Sequence, residues 1–193
     1  MKAEELLRRY ANGERDFRGV NLSGVSLAGA ILSEIDLSHA TLNEATLSQA
    51  VLTEANLTAA SLDKVILYGA SMELVNLSQA SLNEADLRAT NLKEALLYKS
   101  SLRKAQLQRA VLNQAILQRA FLRGANLSQA VLLSANLQQA NLTNADLTGA
   151  NLQQANLQGA FLIEANLSQA NLQGANLERT ILTDAIMPDN SFD

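Results

Sequence analysis

The sequence predicts an all-β solenoid, in which the chain winds into many stacked coils of equal size. Three observations carry this prediction. A five-residue repeat runs without a break from Phe17 to Phe192, so loops and linkers have no place in it. Its 36 central positions are all apolar, and 32 of them are Leu. The position two residues before each central residue is Ala in 26 of 35 cases.

A period of five fits neither an α-helix nor a flat strand. On an α-helix successive central residues would step by about 140° and form no stripe, and on a straight strand they would alternate between faces. Each Ala and the Leu two residues later share a face of extended backbone, so both point to a common axis if the chain turns the same way in every repeat. Coils stacked about 4.8 Å apart would then bury a continuous column of Leu and Ala.

The repeats Ala125–Gln129 and Ala145–Gly149 have the pattern A-(D/N)-L-x-x, which resembles the motif of the pentapeptide repeat family. The resemblance extends over more than nine-tenths of the chain, and the segment from Leu6 to Phe17 is similar to the lead-in of many cyanobacterial members. It implies four repeats per turn, and so a right-handed quadrilateral β-helix of about nine 20-residue coils. In chain order, the five positions are called the Ala position, the outward position, the Leu position, and the first and second corner positions.

Both ends of such a column need a cap, because the terminal coils would expose apolar side chains and unpaired backbone. We expect residues 1–15 to form an N-terminal capping helix and lead-in, and residues 16–193 to form the β-helix as a single domain. The helix is predicted by apolar residues at helical spacing, which are Ala3, Leu6, Leu7 and Tyr10. Gly13 suits the helix end. At the other end, Pro188 and Phe192 are the candidates to close the last coil.

The sequence does not predict an enzyme, a metal site or a cofactor. It has no cysteine, and its single histidine, His39, is expected at a solvated corner beside Gly19 and Ala59, which offer no metal ligand or base partner. The acids recur at corner positions on a convex rod, without a cleft that would shift their pKa. Eight glycines share the second corner position and are interpreted as turn residues: Gly19, Gly24, Gly29, Gly69, Gly124, Gly149, Gly159 and Gly174.

The chain is expected to be cytoplasmic, without a membrane association. The first residues include Glu4 and Glu5, where a signal peptide needs a basic stretch and then an apolar core. No run of about 18 apolar residues occurs in the sequence.

Charge divides the predicted rod into segments. Residues 16–87 carry a net charge of −7, residues 88–123 carry +7, and residues 124–193 carry −5. The bases of the middle segment, called the cationic belt, are Arg88, Lys93, Lys99, Arg103, Lys104, Arg109, Arg119 and Arg123. The belt is a candidate docking surface for an acidic partner, which could be the anionic segment of a second copy. The alternative is a set of solvated corners with a few cross-coil pairs, such as Glu44–Lys64–Glu84–Lys104.

Apolar residues at outward positions are candidates for an interface. On a 20-residue coil Val111, Val131 and Leu133 cluster on one face. A second cluster lies nearer the C-terminus and contains Phe161, Ile163 and Ile181. We interpret this second cluster as a possible homodimer interface. The Asn, Asp, Ser and Thr residues at the other outward positions are expected to form hydrogen-bonded ladders from coil to coil.

Two functions remain open. The first is a non-enzymatic scaffold that binds another protein, whose identity the repeat does not encode. The second follows from the resemblance, because some pentapeptide repeat proteins mimic duplex DNA and inhibit or protect type II topoisomerases. The sequence departs from that subgroup in its cationic belt and in lacking the loops that interrupt the repeats there. Nucleic acid is a less suitable partner, since few aromatic residues, such as Tyr98, lie among the bases of the belt.

Overall fold

The computed structural model describes residues 1–189, which form one short helix followed by a β-helix. Helix α1 spans Ala3–Ala11. The β-helix is held by parallel single-residue bridges between outward positions, and each bridge joins residues 20 apart, from Asp16↔Asp36 to Asn166↔Ile186. Phe192 lies outside the described residues, so its expected capping role stays a prediction.

Backbone hydrogen bonds between coils follow the repeat. The N–H of Leu97, at a Leu position, donates to the carbonyl of Ile116 in the next coil, at 2.8 Å. The N–H of Leu96, at an outward position, donates back to Val75 at 2.9 Å, and that of Lys99 donates forward to Gln118 at 3.1 Å. A fourth N–H, that of Ser100, closes the corner onto Leu97 at 3.1 Å. Four of the five N–H groups of a repeat are therefore satisfied by backbone carbonyls.

The fifth N–H, at the first corner position, explains the Asn and Asp residues at outward positions. The Asp146 carboxylate accepts from the N–H of Thr148 at 2.9 Å, and the Asn166 amide oxygen accepts from the N–H of Ser168 at 3.0 Å. This local bond recurs along the solenoid, whereas a cross-coil bond between outward side chains, such as Asn56 to Asp36 at 3.1 Å, is rare. Bonds between two outward side chains one coil apart are thus a minor feature at Asn and Asp, because the nearer backbone donor takes the side-chain oxygen. Some outward serines do bond across coils, as Ser81 does to Asp63 at 2.6 Å.

Leu and Ala side chains fill the interior from the first coil to Ala170, where nearly all are fully buried. Between the first coil and Ala170, two Ala positions hold polar residues, Thr90 and Ser100, and both side chains are fully buried. Their hydroxyls donate to the carbonyls of Leu87 and Leu97 at 2.7 and 2.8 Å, so neither is left unsatisfied in the core.

The corners depend on left-handed backbone. All residues at the second corner position, from Gly19 to Asp184, have a positive φ. Of these residues, 26 are not glycine, and their φ values lie between 55° and 60°. This confirms that the eight glycines of this position are turn residues. It also shows that the fold imposes the same conformation on ordinary L-residues, which adopt it at a cost in energy.

The N-terminal helix caps the first coil as predicted. Leu6 is fully buried, and the Tyr10 hydroxyl donates to the Ser33 carbonyl at 2.9 Å. Gly13 follows the helix with a φ of 91°, as expected for a helix end. Leu7 is the exception to the predicted apolar set, because its side chain is 38% exposed at the edge of the helix. Within residues 1–189, no helix is long and apolar enough to cross a bilayer.

Candidate interaction surface

The eight bases of the cationic belt lie around the circumference of the solenoid and do not share one face. All occupy corner positions. The 20-residue register aligns Lys99 with Arg119, and Arg103 with Arg123. The other four bases occupy separate columns. The belt is therefore several small basic groups, each with its own neighbours.

Two bases of the belt are paired with acids. The Arg88 guanidinium binds Asp86 through two contacts, Nε–Oδ1 at 2.8 Å and Nη2–Oδ2 at 2.7 Å. This hydrogen bond lowers the pKa of the Asp86 carboxyl. Lys93 lies 3.3 Å from the Glu94 carboxylate. Both pairs are local in sequence. In the described part of the chain no ion pair forms within the column Glu44–Lys64–Glu84–Lys104, so that expected ladder is wrong.

Three further bases bind neutral groups. The Lys99 ammonium lies 5.1 Å from the centroid of the Tyr98 ring, and its hydrogen bond lowers the pKa of the Tyr98 phenol. Arg109 donates to Gln129 at 2.9 Å, and Arg119 donates to Gln139 at 2.8 Å. Glutamine side chains at corner positions thus link successive coils in this half of the molecule.

The remaining bases, Arg103, Lys104 and Arg123, share one edge. They line an open groove of about 480 Å³, whose other lining residues are Gly124, Asn144 and Glu164. The Arg103 guanidinium also lies 5.2 Å from the centroid of the Phe121 ring. Across residues 1–189 no ion pair involves any of these three bases. Their positive charge is therefore available to a partner.

Exposed apolar residues lie next to this groove. Bridges link Phe121 to Asn141, Asn141 to Phe161 and Phe161 to Ile181, so these residues form one column along the solenoid axis. Phe121, Phe161 and Ile181 are about 40% exposed, at 41%, 39% and 41%. Ile163 is half-buried and follows Phe161 by two residues. The structure thus brings together the three residues of the predicted C-terminal cluster and adds Phe121 to them.

This surface is called the Phe121 face. It has basic residues at its N-terminal end, apolar residues along its middle, and acids at its C-terminal end. Its members are Arg103, Lys104, Phe121, Arg123, Phe161, Ile163, Glu164, Ile181 and Asp184. The sequence contained one signal for this grouping, since residues 20 or 40 apart share a column once the coil length is known. Its role as an interface stays a prediction.

The second predicted apolar cluster is smaller. Val111 and Val131 are bridged neighbours, and both are half-buried. Leu133 is 37% exposed, and its backbone N–H donates to the Asn113 side chain at 3.3 Å. One exposed leucine beside satisfied polar groups is a common surface feature. We therefore regard the Phe121 face as the stronger candidate.

The described residues offer no constellation for chemistry. His39 is exposed at a corner with a φ of 59°, and within residues 1–189 no group of three or more His, Cys, Asp or Glu residues could hold a metal ion. The grooves between corners are open. One of them, of about 460 Å³, is lined by residues that include Tyr68, Arg88 and Arg109.

Comparisons with known proteins agree with this architecture. The family model for pentapeptide repeats matches in eight copies, which lie between residues 16 and 184. None of the curated proteins compared with the chain matches it significantly. Among solved structures, QnrB1 in a trypsin-treated form, described as a plasmid-mediated fluoroquinolone resistance protein, is 18% identical, with a TM-score of 0.74 over 82% of this chain and 80% of that chain. That likeness supports a right-handed β-helical fold.

Two cyanobacterial proteins from Nostoc sp. PCC 7120 are more similar in sequence. HetL, a pentapeptide repeat protein involved in the regulation of heterocyst differentiation, is 36% identical over 100% of both chains, with a TM-score of 0.38. The pentapeptide repeat protein alr5209 is 39% identical over 48% of this chain and 77% of its own, with a TM-score of 0.43.

Proposed function

Since the chain belongs to the pentapeptide repeat family, we propose that it is a non-enzymatic scaffold whose outer surface binds another protein. We further propose a single β-helical domain of about nine quadrilateral coils, consistent with bridges between residues 20 apart. The repeats place aliphatic side chains in the interior, so specificity depends on the residues that line the outside.

One observation carries this proposal. The Phe121 face exposes two phenylalanines and an isoleucine in one column, next to three bases that have no acidic partner in the described chain. Aromatic residues and arginine are enriched in protein interfaces, where they contribute a large share of the binding energy. The fold does not need the apolar group, because Asn, Ser and Thr occupy the same outward column in other coils.

The test is affinity capture from the native host with three baits, followed by mass spectrometry. The wild type is compared with Phe161→Asp and with a control, Ile31→Asp. Ile31 is also an outward residue, is 67% exposed, and lies in a different column near the N-terminus. We expect a bound protein that Phe161→Asp loses and the control retains. Equal capture by all three baits would contradict the assignment of this face.

A second candidate function is inhibition or protection of a type II topoisomerase by mimicry of DNA. The likeness in fold to QnrB1 and the −7 charge of residues 16–87 favour it. The cationic belt opposes it, because a surface that replaces DNA needs continuous negative charge. A gyrase supercoiling assay in the presence of a fluoroquinolone tests it, and we expect neither inhibition nor drug protection. Protection by the purified protein at micromolar concentration would reverse the ranking.

A further inference from the structure

We propose that the partner of the Phe121 face is a second copy of the same chain, bound antiparallel about a two-fold axis that passes through the coil of Asn141. This inference rests on the proposed function, since it assigns an occupant to the same face. It commits to one register and to particular residue pairs, which the 20-residue columns determine.

The columns make the face complementary to itself. A two-fold axis that lies in the contact plane, perpendicular to the solenoid axis, reverses the order of the coils and sets each column opposite its own copy. Phe121 and Phe161 are one coil before and one coil after Asn141 in a continuous column. With the axis at Asn141, Phe121 of each copy therefore faces Phe161 of the other. Two such aromatic contacts form, one on each side of the axis.

The same register pairs opposite charges. Backbone bonds place Lys104, Gly124, Asn144, Glu164 and Asp184 at successive levels of one corner column. The two-fold axis sets Lys104 opposite Asp184 of the second copy. It also sets Gly124 opposite Glu164, where the missing side chain leaves room for that carboxylate to reach the neighbouring Arg123. Bases at one end of the face thus meet acids at the other end, twice per dimer.

Neighbouring registers lose the contact between Phe121 and Phe161, and one of them also sets like charges opposite each other. With the axis half a coil nearer the N-terminus, Phe161 would face Ser101, and Asp184 would face the like charge of Glu84. With the axis half a coil nearer the C-terminus, Phe161 would face Asn141, and Phe121 would face Ile181. The register at Asn141 is the one of these three that satisfies both the aromatic column and the corner column.

On the N-terminal side of the Phe121 face, polar side chains of the same outward column already form hydrogen bonds within the chain. The hydroxyls of Ser81 and Ser101 donate to Asp63 and Asn83 at 2.6 and 2.7 Å, which ties the outward column to the first corner column. This polar ladder ends at Ser101, the level at which the proposed overlap begins. The unpaired bases lie at that level or on its C-terminal side, and the exposed phenylalanines lie on its C-terminal side.

The size of the contact sets the expected affinity. Overlap from Ser101 to Ile181 covers four coil spacings, which is about 19 Å along the axis. One narrow face of that length is smaller than the roughly 800 Å² per partner of a standard stable interface. We therefore expect a reversible dimer with a dissociation constant of about 10 µM or weaker, which weakens further as salt screens the corner charges.

Charge reversal in the corner column provides the test. Sedimentation equilibrium of the full chain is measured over about 5 to 500 µM for the wild type, Lys104→Glu, Asp184→Lys and the double variant. Each single variant should weaken association by about tenfold or more, and the double variant should return it to within about threefold of the wild type. An equimolar mixture of the two single variants should also associate, because opposite charges then face each other again.

The control is Lys64→Glu, which lies in the same corner column outside the overlap and should leave association unchanged. All introduced residue types already occur at second corner positions, as in Glu44 and Lys64, so the fold should tolerate them. Circular dichroism checks this. A wild type that stays monomeric at the highest concentration, single variants that associate normally, or a double variant that is not restored would each overturn the proposal. A hetero-partner captured through Phe161 would still stand, so the two failures are distinguishable.

Discussion

Two adjacent alanines should respond in opposite directions to the same substitution. Ala59 is a second corner residue with a φ of 55°, whereas Ala60 is an inward residue with 1% of its surface exposed. Ala59→Gly removes left-handed strain of roughly 1–2 kcal/mol. The substitution also raises the entropic cost of ordering the backbone by roughly 0.5–1 kcal/mol. It loses part of the roughly 0.8 kcal/mol that burial of a methyl group contributes to stability. The net effect is a stabilisation of about 0.5 kcal/mol.

Ala60→Gly has no strain to relieve. This variant loses the full contribution of the buried methyl group, about 0.8 kcal/mol. It also carries the same entropic cost of ordering the backbone, about 0.5–1 kcal/mol. The protein should therefore lose about 1.5 kcal/mol, and the two variants should differ by about 2 kcal/mol. Equilibrium urea unfolding followed by circular dichroism measures this, with equal m-values as the check that the unfolded states are comparable. Similar losses in both variants would refute the argument that the corner conformation is strained.

Two further predictions concern the core and an exposed ion pair. Leu97→Ala should lower the free energy of unfolding by about 2–5 kcal/mol, because it opens a cavity in the middle of the column. Leu74→Ala, at a corner residue that is 48% exposed, should lower it by under about 0.5 kcal/mol. Equal losses in chemical denaturation would contradict the inward assignment. The hydrogen bond from Arg18 lowers the pKa of Asp16 from 3.8 to about 2, so this pair stabilises the fold above about pH 4 and ceases to do so as the pH falls towards 2. An NMR titration of the Asp16 carboxyl should show this shift and its loss in Arg18→Gln, and a titration near 3.8 in the wild type would exclude the pair.

The surface contacts were the least predictable part. The sequence suggested cross-coil pairs such as Glu44 with Lys64, yet Arg88 binds Asp86, two residues away, in the structure. An exposed side chain selects among several partners of similar energy, and a near partner costs less conformational entropy than a distant one. The same reasoning applies to the outward Asn and Asp residues, which bind the nearest backbone N–H rather than the next coil.

By itself, the sequence determined the interior. The Leu and Ala positions could be assigned inward because a period of five allows no other continuous apolar surface, and the second corner position could be assigned to the turn because glycine recurs there. The length of one coil came from the family resemblance, since the repeat period does not state how many repeats close a turn. The tertiary structure decided the rest, including the strain at corner alanines and the column that brings Phe121, Phe161 and Ile181 to one face. Burial selects side chains strongly at inward positions and weakly outside, so the outer surface becomes interpretable only when the coils are stacked.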